Sequence, residues 1–393
     1  MISVEEALAR VLGLASTLPS ETLPLRKASG RVLATPVSAC LTQPPFAASA
    51  MDGYAILEAD HIDGATLSVI GEAGAGHAFA GALAPGQAVR IFTGAPVPLG
   101  AERVVLQEDV TLDGGRITLS GRLESGTNIR PAGQDFREGD ELSAPRRLRP
   151  ADLALIASMN QPLVNVARRP IVAFIATGDE LVMPGEIPRP DQIVASNSFA
   201  LAALAESAGA EARLLPIARD SDASLRYVFG LAEGADVIVT IGGASVGDHD
   251  LVGKIATELG LERAFWKIAM RPGKPLMAGK LGGSILLGLP GNPVSAIVCA
   301  HLFLLPLLAQ MQGLAGRHET KMARLGAPVD ANGPRTHYMR ARLSPSEGVP
   351  KITPFDRQDS ALLSILSEAD ALLIRPIQDG PLPSGALVSY LSL

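Results

Sequence analysis

The chain has 393 residues, 47% of them hydrophobic and 4% aromatic, with a formal net charge of −6. At roughly 150 residues per domain this length predicts two or three domains, and the apolar content excludes global disorder. The acidic balance and scarce rings argue against a nucleic-acid binder, which carries a basic footprint and stacking aromatics.

The opening Met1-Ile2-Ser3-Val4-Glu5-Glu6 carries acid where a secretory leader needs a basic region. It reads as a capping box, Ser3 with Glu6, opening a helix with Val4, Leu8, Val11 and Leu12 on one face. Short extended pieces follow at Leu23-Pro24-Leu25 and Arg31-Val32-Leu33. From about 46 to 139, β-like runs (Leu67 to Ile70, Ala88 to Phe92, Arg103 to Leu106, Arg116 to Leu119) alternate with Gly and Pro turns. That spacing predicts a small barrel or sandwich. Residues 140 to 168 are mixed, with Pro150 placed to start a helix through Ile156. The clusters Arg146, Arg147, Arg149 and Arg168, Arg169 read as solvated segments flanking a domain joint.

Residue 170 begins a different regime. Pro170 to Ala176 is a continuous apolar strand, as expected of a parallel sheet covered on both faces. A helix from about Ser198 follows, with Asn197 as candidate cap and Gly209 as stop. Then come a strand Arg213 to Ile217, a helix bearing Leu225, Val228 and Phe229, a strand Asp236 to Ile241, and a helix with Val252, Ile255 and Leu259. This alternation predicts a doubly wound open sheet with its ligand at the carboxyl ends of the strands. The apolar stretch Ala296 to Met311, interrupted by His301 and Pro306, reads as a buried helix too short to span a bilayer. Beyond about 320, Thr336 to Leu343, Ala371 to Ile374 and Ala386 to Leu391 predict a small β domain. Two distant cysteines, Cys40 and Cys299, fit a reducing compartment and exclude a cysteine-pair zinc site. A cytoplasmic protein without membrane or nucleic-acid partners is the expectation.

Familiar phosphate-loop, dinucleotide, zinc-protease and nucleophile-elbow motifs are absent. What remains is four loops at predicted strand ends: Thr177-Gly178-Asp179-Glu180, Arg219-Asp220-Ser221-Asp222, Gly242 to Asp250, and Gly288 to Ser295. Glycine-rich turns entering helix N-termini offer free N–H groups and a positive dipole end to phosphate. Asp220 and Asp250 also stand where aspartate routinely caps a helix, and Asp179 where it satisfies a turn. Convergence of all four loops on one sheet edge favours a site. Lys267 and the run Arg271-Pro272-Gly273-Lys274-Pro275 add cations. Carboxylates with substrate phosphate suit Mg²⁺. The residues alone thus indicate a metal-assisted phosphate or oxyanion site.

Six segments in order extend this reading: Ser49-Ala50-Met51-Asp52-Gly53-Tyr54-Ala55, Thr93 to Pro98, Thr177 to Leu181, Gly242 to Gly247, Arg271 to Pro275, and Pro290-Gly291-Asn292-Pro293-Val294-Ser295. Together they closely resemble the MoeA family, the molybdopterin molybdenumtransferases related to the E domain of gephyrin. The likeness runs from about residue 3 to the C-terminus. It implies an α/β and β multidomain fold: a central doubly wound parallel α/β (MoaB/MogA-like) domain at 169–318, small β-barrel or sandwich domains at 46–139 and 319–393, and an elongated split N-terminal domain at 1–45 and 140–168. It also implies a reaction, adenylylated molybdopterin plus molybdate giving molybdenum-loaded cofactor and AMP with Mg²⁺. A homodimer whose shared pocket sets Asp52 and Thr93 of one subunit against the α/β domain of the other is part of that implication, as is transient contact with the molybdopterin adenylyltransferase.

By the same resemblance Asp52, Asp135, Glu180, Asp220 and Asp250 match functional acids. Asp52, Glu180, Asp220 and Asp250 are the expected catalytic set, with Asp220 and Asp250 on the metal. Thr93, Asp135, Thr177, Gly242, Gly243, Ser245, Lys267, Arg271, Lys274, Pro290, Asn292 and Pro293 are the expected ligand-binding set. The chain departs from many relatives at Ala47-Ala48, at Gln134, and at Arg271 where Lys is common. The last change substitutes a bidentate fork for a point charge.

Overall fold

The apolar run at 171–176 becomes a strand buried almost throughout, in a computed structural model that describes residues 1–120, 125–243 and 251–393. The chain divides into two units. One comprises Met1–Glu21, Gly30–Ala34 and Val166–Leu393; the other comprises Thr22–Ser29 and Thr35–Asn165.

In the first unit a six-stranded sheet runs in the order Glu211–Leu214, Ile171–Ala176, Val237–Ile241, Ser284–Leu289, Met277–Leu281, Leu261–Trp266. The first four strands are parallel. Side chains alternate between two cores: Val172, Phe174, Val237 and Val239 enter one, and Ala173, Ile175 and Ile238 the other. Both faces are therefore dry, which explains why these strands read as unbroken apolar runs. The last two strands are antiparallel, so the sheet is mixed. Gly282 and Gly283 join Leu281 directly to Ser284, a turn too short for a crossover helix.

Local details depart from the sequence reading in instructive ways. Ser3 accepts from the Glu6 amide (3.1 Å), but the Glu6 carboxylate pairs with Arg10 (2.6 Å) and not with the helix start. The next helix spans Asn197–Ser207 with Ser196 at the cap position. Asn197 is inside it because its side-chain amide donates to Gly291 O (2.7 Å). The strand expected at Arg213 to Ile217 lies at Glu211–Leu214, since its pairing begins level with Ile171. Arg168 is no solvated side chain. Its guanidinium donates twice to Asp236 (3.0 and 2.7 Å), which also accepts from Ile171 N (2.7 Å), tying two strand starts together.

Pro293–Met311 forms one helical run of 19 residues, long and apolar enough to cross a membrane by length and composition. It is mostly buried, with Val298, Leu302, Phe303 and Leu307 fully inside the α/β core. Pro306 cannot donate to Leu302 O, and the chain passes through a π turn at Ala300–Leu304. His318 Nε2 lies 2.9 Å from that freed carbonyl and supplies the missing bond.

C-terminal strands Lys321–Leu325, Thr336–Ser344, Lys351–Pro354, Ala371–Arg375 and Leu387–Ser392 close into a small barrel. Thr336–Ser344 pairs with both Lys351–Pro354 and Ala371–Arg375, completing the ring. Leu325, Ala341, Ile352 and Leu373 fill it. Met270–Arg271 adds to its edge, with Arg271 level with His337.

The second unit carries a six-stranded sheet ordered Arg103–Leu106, Gly53–Ile56, Gln87–Ile91, Thr66–Ala73, Arg116–Leu119, Val110–Asp113. Tyr54 and Ile56 face one core and Ala55 the other, the period-two pattern of a sheet packed on both sides. Arg149 and Arg146 turn to the buried Asp152 (3.2 and 3.6 Å), again not to solvent alone.

Burial holds His301 down to about 4, with His318 beside it adding repulsion. It holds His337 down to about 4 as well, with Arg271 the strongest of four arginines whose charge adds to the effect. Between about 6.5 and that value the unfolded chain binds protons that the folded chain refuses. Stability should therefore fall as pH drops through this window, by up to about 1.4 kcal/mol per pH unit for each histidine. Urea unfolding at pH 7 and pH 5 measures it, and His301→Gln with His337→Gln should flatten the slope; an unchanged slope refutes the assignment.

Candidate active site

Parallel strands end together, so the loops leaving their carboxyl ends line one groove of about 980 Å³. Thr177, Gly178, Glu180, Asp220, Gly242, Gly243, Pro290, Asn292 and Pro293 all border it. The floor is backbone. Thr177 N donates to Ile241 O (3.0 Å), Gly178 N to Ala218 O (3.1 Å) and Gly242 N to Leu289 O (3.1 Å). Gly242 has φ +88°, and a Cβ there would stand 3.0 Å from Thr177 O, so the close approach of the two loops requires glycine.

Two helix N-termini, at Asn197 and at Pro293, open into the groove. The first amides of the Asn197 helix lack intrahelical acceptors at a positive dipole end, an anion site, whereas at the other start Pro293 has no N–H and Val294 N donates to Ser360 O (3.1 Å). Asn197 holds the two together through its bond to Gly291 O. Asn292 occupies the cap position, yet its side chain makes no capping bond and instead donates to Ser360 Oγ (3.1 Å).

The acids at the rim differ in their surroundings. Asp179 reaches across to the next loop instead of closing its own turn: its Oδ1 accepts from Asp220 N, 41 positions away (3.2 Å). Asp220 is not a cap, because Ser221 takes that role by accepting from Ser224 N (3.3 Å). Among the described residues, the Asp220 carboxylate has no hydrogen-bond or ion-pair partner and is exposed at the groove. Glu180 lines the same groove, its carboxylate folded over Gly178. Arg219 fixes this rim by donating from one nitrogen to Gly178 O, Asp179 O and Leu181 O (3.3, 3.2 and 2.9 Å). The groove-lining Lys254 escaped the sequence reading, which takes Arg219 only as part of its loop and gives it no role.

Among the described residues, no group of three or more His, Cys, Asp or Glu could hold a metal. One or two carboxylates completed by phosphate oxygens is nevertheless what Mg²⁺ accepts, so the bare Asp220 carboxylate, with Glu180 on the same groove, fits that ion. Asp250 and Ser245 lie outside the described residues.

Lys267, Arg271 and Lys274 do not line the groove, although Pro275 does. They share a turn closed by Lys267 N to Leu276 O (3.2 Å) and Ile268 N to Lys274 O (3.1 Å). Lys267 Nζ sits 4.2 Å from the centre of the Trp266 ring, a cation–π contact. Arg271 and Lys274 are exposed and, among the described residues, their head groups are unpaired.

Asp52, Thr93 and Asp135 belong to the second unit. Asp52 precedes Gly53, where a Cβ would collide with the Val105 carbonyl oxygen, so glycine lets the strand pack beneath the acid. Thr93 amide and hydroxyl both donate to Asp52 Oδ1 (2.7 Å each). Those two bonds, backbone first, hold the carboxyl below its usual range, and the charge of Arg90 adds to them. Arg90 is itself fixed between the Tyr54 and Phe92 rings, 5.0 and 4.8 Å from their centres. Asp135 is exposed, its amide donating to Gln43 O (3.1 Å).

Comparison with known proteins matches this layout from end to end. Residues 2–160 match the MoeA N-terminal region (domain I and II), residues 173–310 a probable molybdopterin binding domain, and residues 322–393 the MoeA C-terminal region (domain IV). A curated relative from Nostoc sp., named molybdopterin molybdenumtransferase, is 36% identical and covers 95% of this chain and 89% of its own. A second of the same name, from Haemophilus influenzae, is 38% identical over 80% of this chain and 78% of its own. The crystal structure of the molybdopterin biosynthesis moeA protein from Pyrococcus horikoshii superposes with TM-score 0.85 at 26% identity, covering 100% of each chain. Fold, groove and matches define a multidomain enzyme of molybdenum cofactor biosynthesis. The chain belongs to the MoeA family.

Thr93→Val removes one of the two donors to Asp52. The Asp52 carboxyl should then titrate at higher pH, still below the ordinary carboxylate value, as followed by carboxyl-carbon NMR. An unmoved titration would mean that the hydroxyl plays no part in holding the charge.

Proposed function

We propose that the chain loads molybdenum onto molybdopterin, with adenylylated molybdopterin and molybdate as substrates and Mo-molybdopterin and AMP as products. The observation that carries this reading is the groove where two helix N-termini meet an unpartnered Asp220. The N-terminus of the Asn197 helix receives phosphate oxygens, which would otherwise lose their hydration without replacement, and the dipole of the Pro293 helix adds to it. Thr177 and the glycines of the floor let the ligand approach backbone closely. Asp220 and Glu180 would hold Mg²⁺, which when bound supplies positive charge to offset that on the phosphates. Lys267, Arg271 and Lys274, outside the groove lining, attract the oxyanion substrate by their charge. Asp250 shares the metal-holding role in this proposal. Pro290 and Pro293 keep the loop in one conformation and so preorganise it.

In the same proposal the enzyme works in the cytoplasm as a homodimer, Asp52 and Thr93 of one subunit completing the groove of its partner. Transient contact with the molybdopterin adenylyltransferase delivers the substrate. An already ionised Asp52, held by two donors, needs no reorganisation when charge develops beside it.

The decisive assay is AMP release from adenylylated molybdopterin with and without molybdate and Mg²⁺. Release that depends on molybdate, with molybdenum ending on the pterin, supports the proposal; tight binding without release refutes it. Asp220→Ala should reduce the rate by at least about a hundredfold with the unfolding transition unchanged. Co-expressed Asp52→Ala and Asp220→Ala subunits should recover activity that neither variant has alone, since a mixed dimer restores one intact site. No recovery would place both acids in one subunit.

A further inference from the structure

A second cavity, of about 350 Å³, lies between the helical run at 305–309 and the C-terminal strands, and shares no residue with the groove. Its polar lining is His301, Arg317, His318, Glu319, Lys321 and Ser392. Two fixed cations face one acid there. Among the described residues Arg317 has no hydrogen-bond or ion-pair partner, and Lys321 Nζ meets only Ser392 Oγ (3.3 Å). His318 is anchored by its bond to Leu302 O, so its ring is oriented and not free to swing. Neutral imidazoles supply N–H donors, and a planar guanidinium and an ammonium supply charge, the donor set by which proteins hold phosphate.

We propose that this cavity binds an oxyanion of the phosphate class, either free or carried on a nucleotide. Arg317 and Lys321 supply the charge and His301 presents an N–H group from the inner wall, while His318, whose one neutral N–H is engaged by Leu302 O, donates to the anion from Nδ1 once protonated. Ser392 steadies Lys321. Glu319 limits the affinity and favours a ligand that brings its own full negative charge. Both histidines are kept neutral by burial, and a bound anion would draw their protonation toward higher pH.

The test uses the whole chain with inorganic phosphate and, separately, AMP, reading calorimetric binding and the histidine ring signals of His301 and His318 by NMR. Saturable phosphate binding that moves both signals is expected. Arg317→Ala with Lys321→Ala, both exposed side chains, should weaken it by at least about tenfold, the loss of one charge-assisted bond. His318→Gln retains an amide donor for Leu302 O and should weaken binding without unfolding. AMP that moves the same two signals identifies nucleotide phosphate as the source, and AMP that leaves them unmoved identifies the free anion. No binding at millimolar phosphate, or binding insensitive to the double variant, overturns the proposal.

Discussion

A parallel sheet buried on both faces forces every polar function of the α/β unit to its ends. Val172, Val237 and Ile285 have no solvent side, nor do their alternating neighbours. Backbone groups inside are satisfied only by the neighbouring strand. The loops leaving Ala176, Ile241 and Leu289 must then start from the same level, because the register of the three strands fixes it. Their closeness follows from hydrogen bonding in the sheet and needs no further attraction. The dry core thus positions the groove, and the glycines at 242 and 243 are the local price of bringing three loops that near.

The two best-defined acids are prepared for different work. Asp52 already has two donors on one oxygen and an arginine wedged between rings behind it. A carboxylate in that setting is a fixed negative charge. Asp220 sits outside the helix cap and keeps both oxygens bare. That suits it to take a ligand which completes its coordination. A single preformed anion and a single open one are more informative than a count of acids.

Much of the architecture was legible because period and burial agree. The strands at 103–106, 116–119 and 371–375, and the apolar ones at 171 and 237, follow directly from alternating or continuous apolar runs. What escaped was set by contacts distant in sequence. The strand at 53–56 hides inside a motif whose glycine reads as a turn, until Val105 is found against it. The hairpin of Met277–Leu281 with Ser284–Leu289 is absent from the expected strands, and Gly288, expected in a loop, lies within it, since its pairing partner decides the conformation. Asn197, Asn292 and Asp220 are all residues that cap helices by habit. Asn197 is drawn to Gly291 and Asn292 to Ser360, 94 and 68 positions away, and Asp220 is left free because the next residue, Ser221, is the cap. The groove-facing part of the candidate site was visible as motif acids and glycines. The supports, Arg219 and Arg90, were not, because an arginine's partners are carbonyls and rings with no sequence spacing.

Arg219 also bears on motion. One guanidinium nitrogen reaches three carbonyls of the 178–181 loop, while the amide of the next residue is held by Asp179. The two loops are thereby coupled as a single mechanical body. A thermal excursion of one must carry the other, so Glu180 and Asp220 keep their spacing while the rim as a whole breathes. Selectivity at such a rim rests on a preserved distance, and entry of a bulky ligand on a collective displacement.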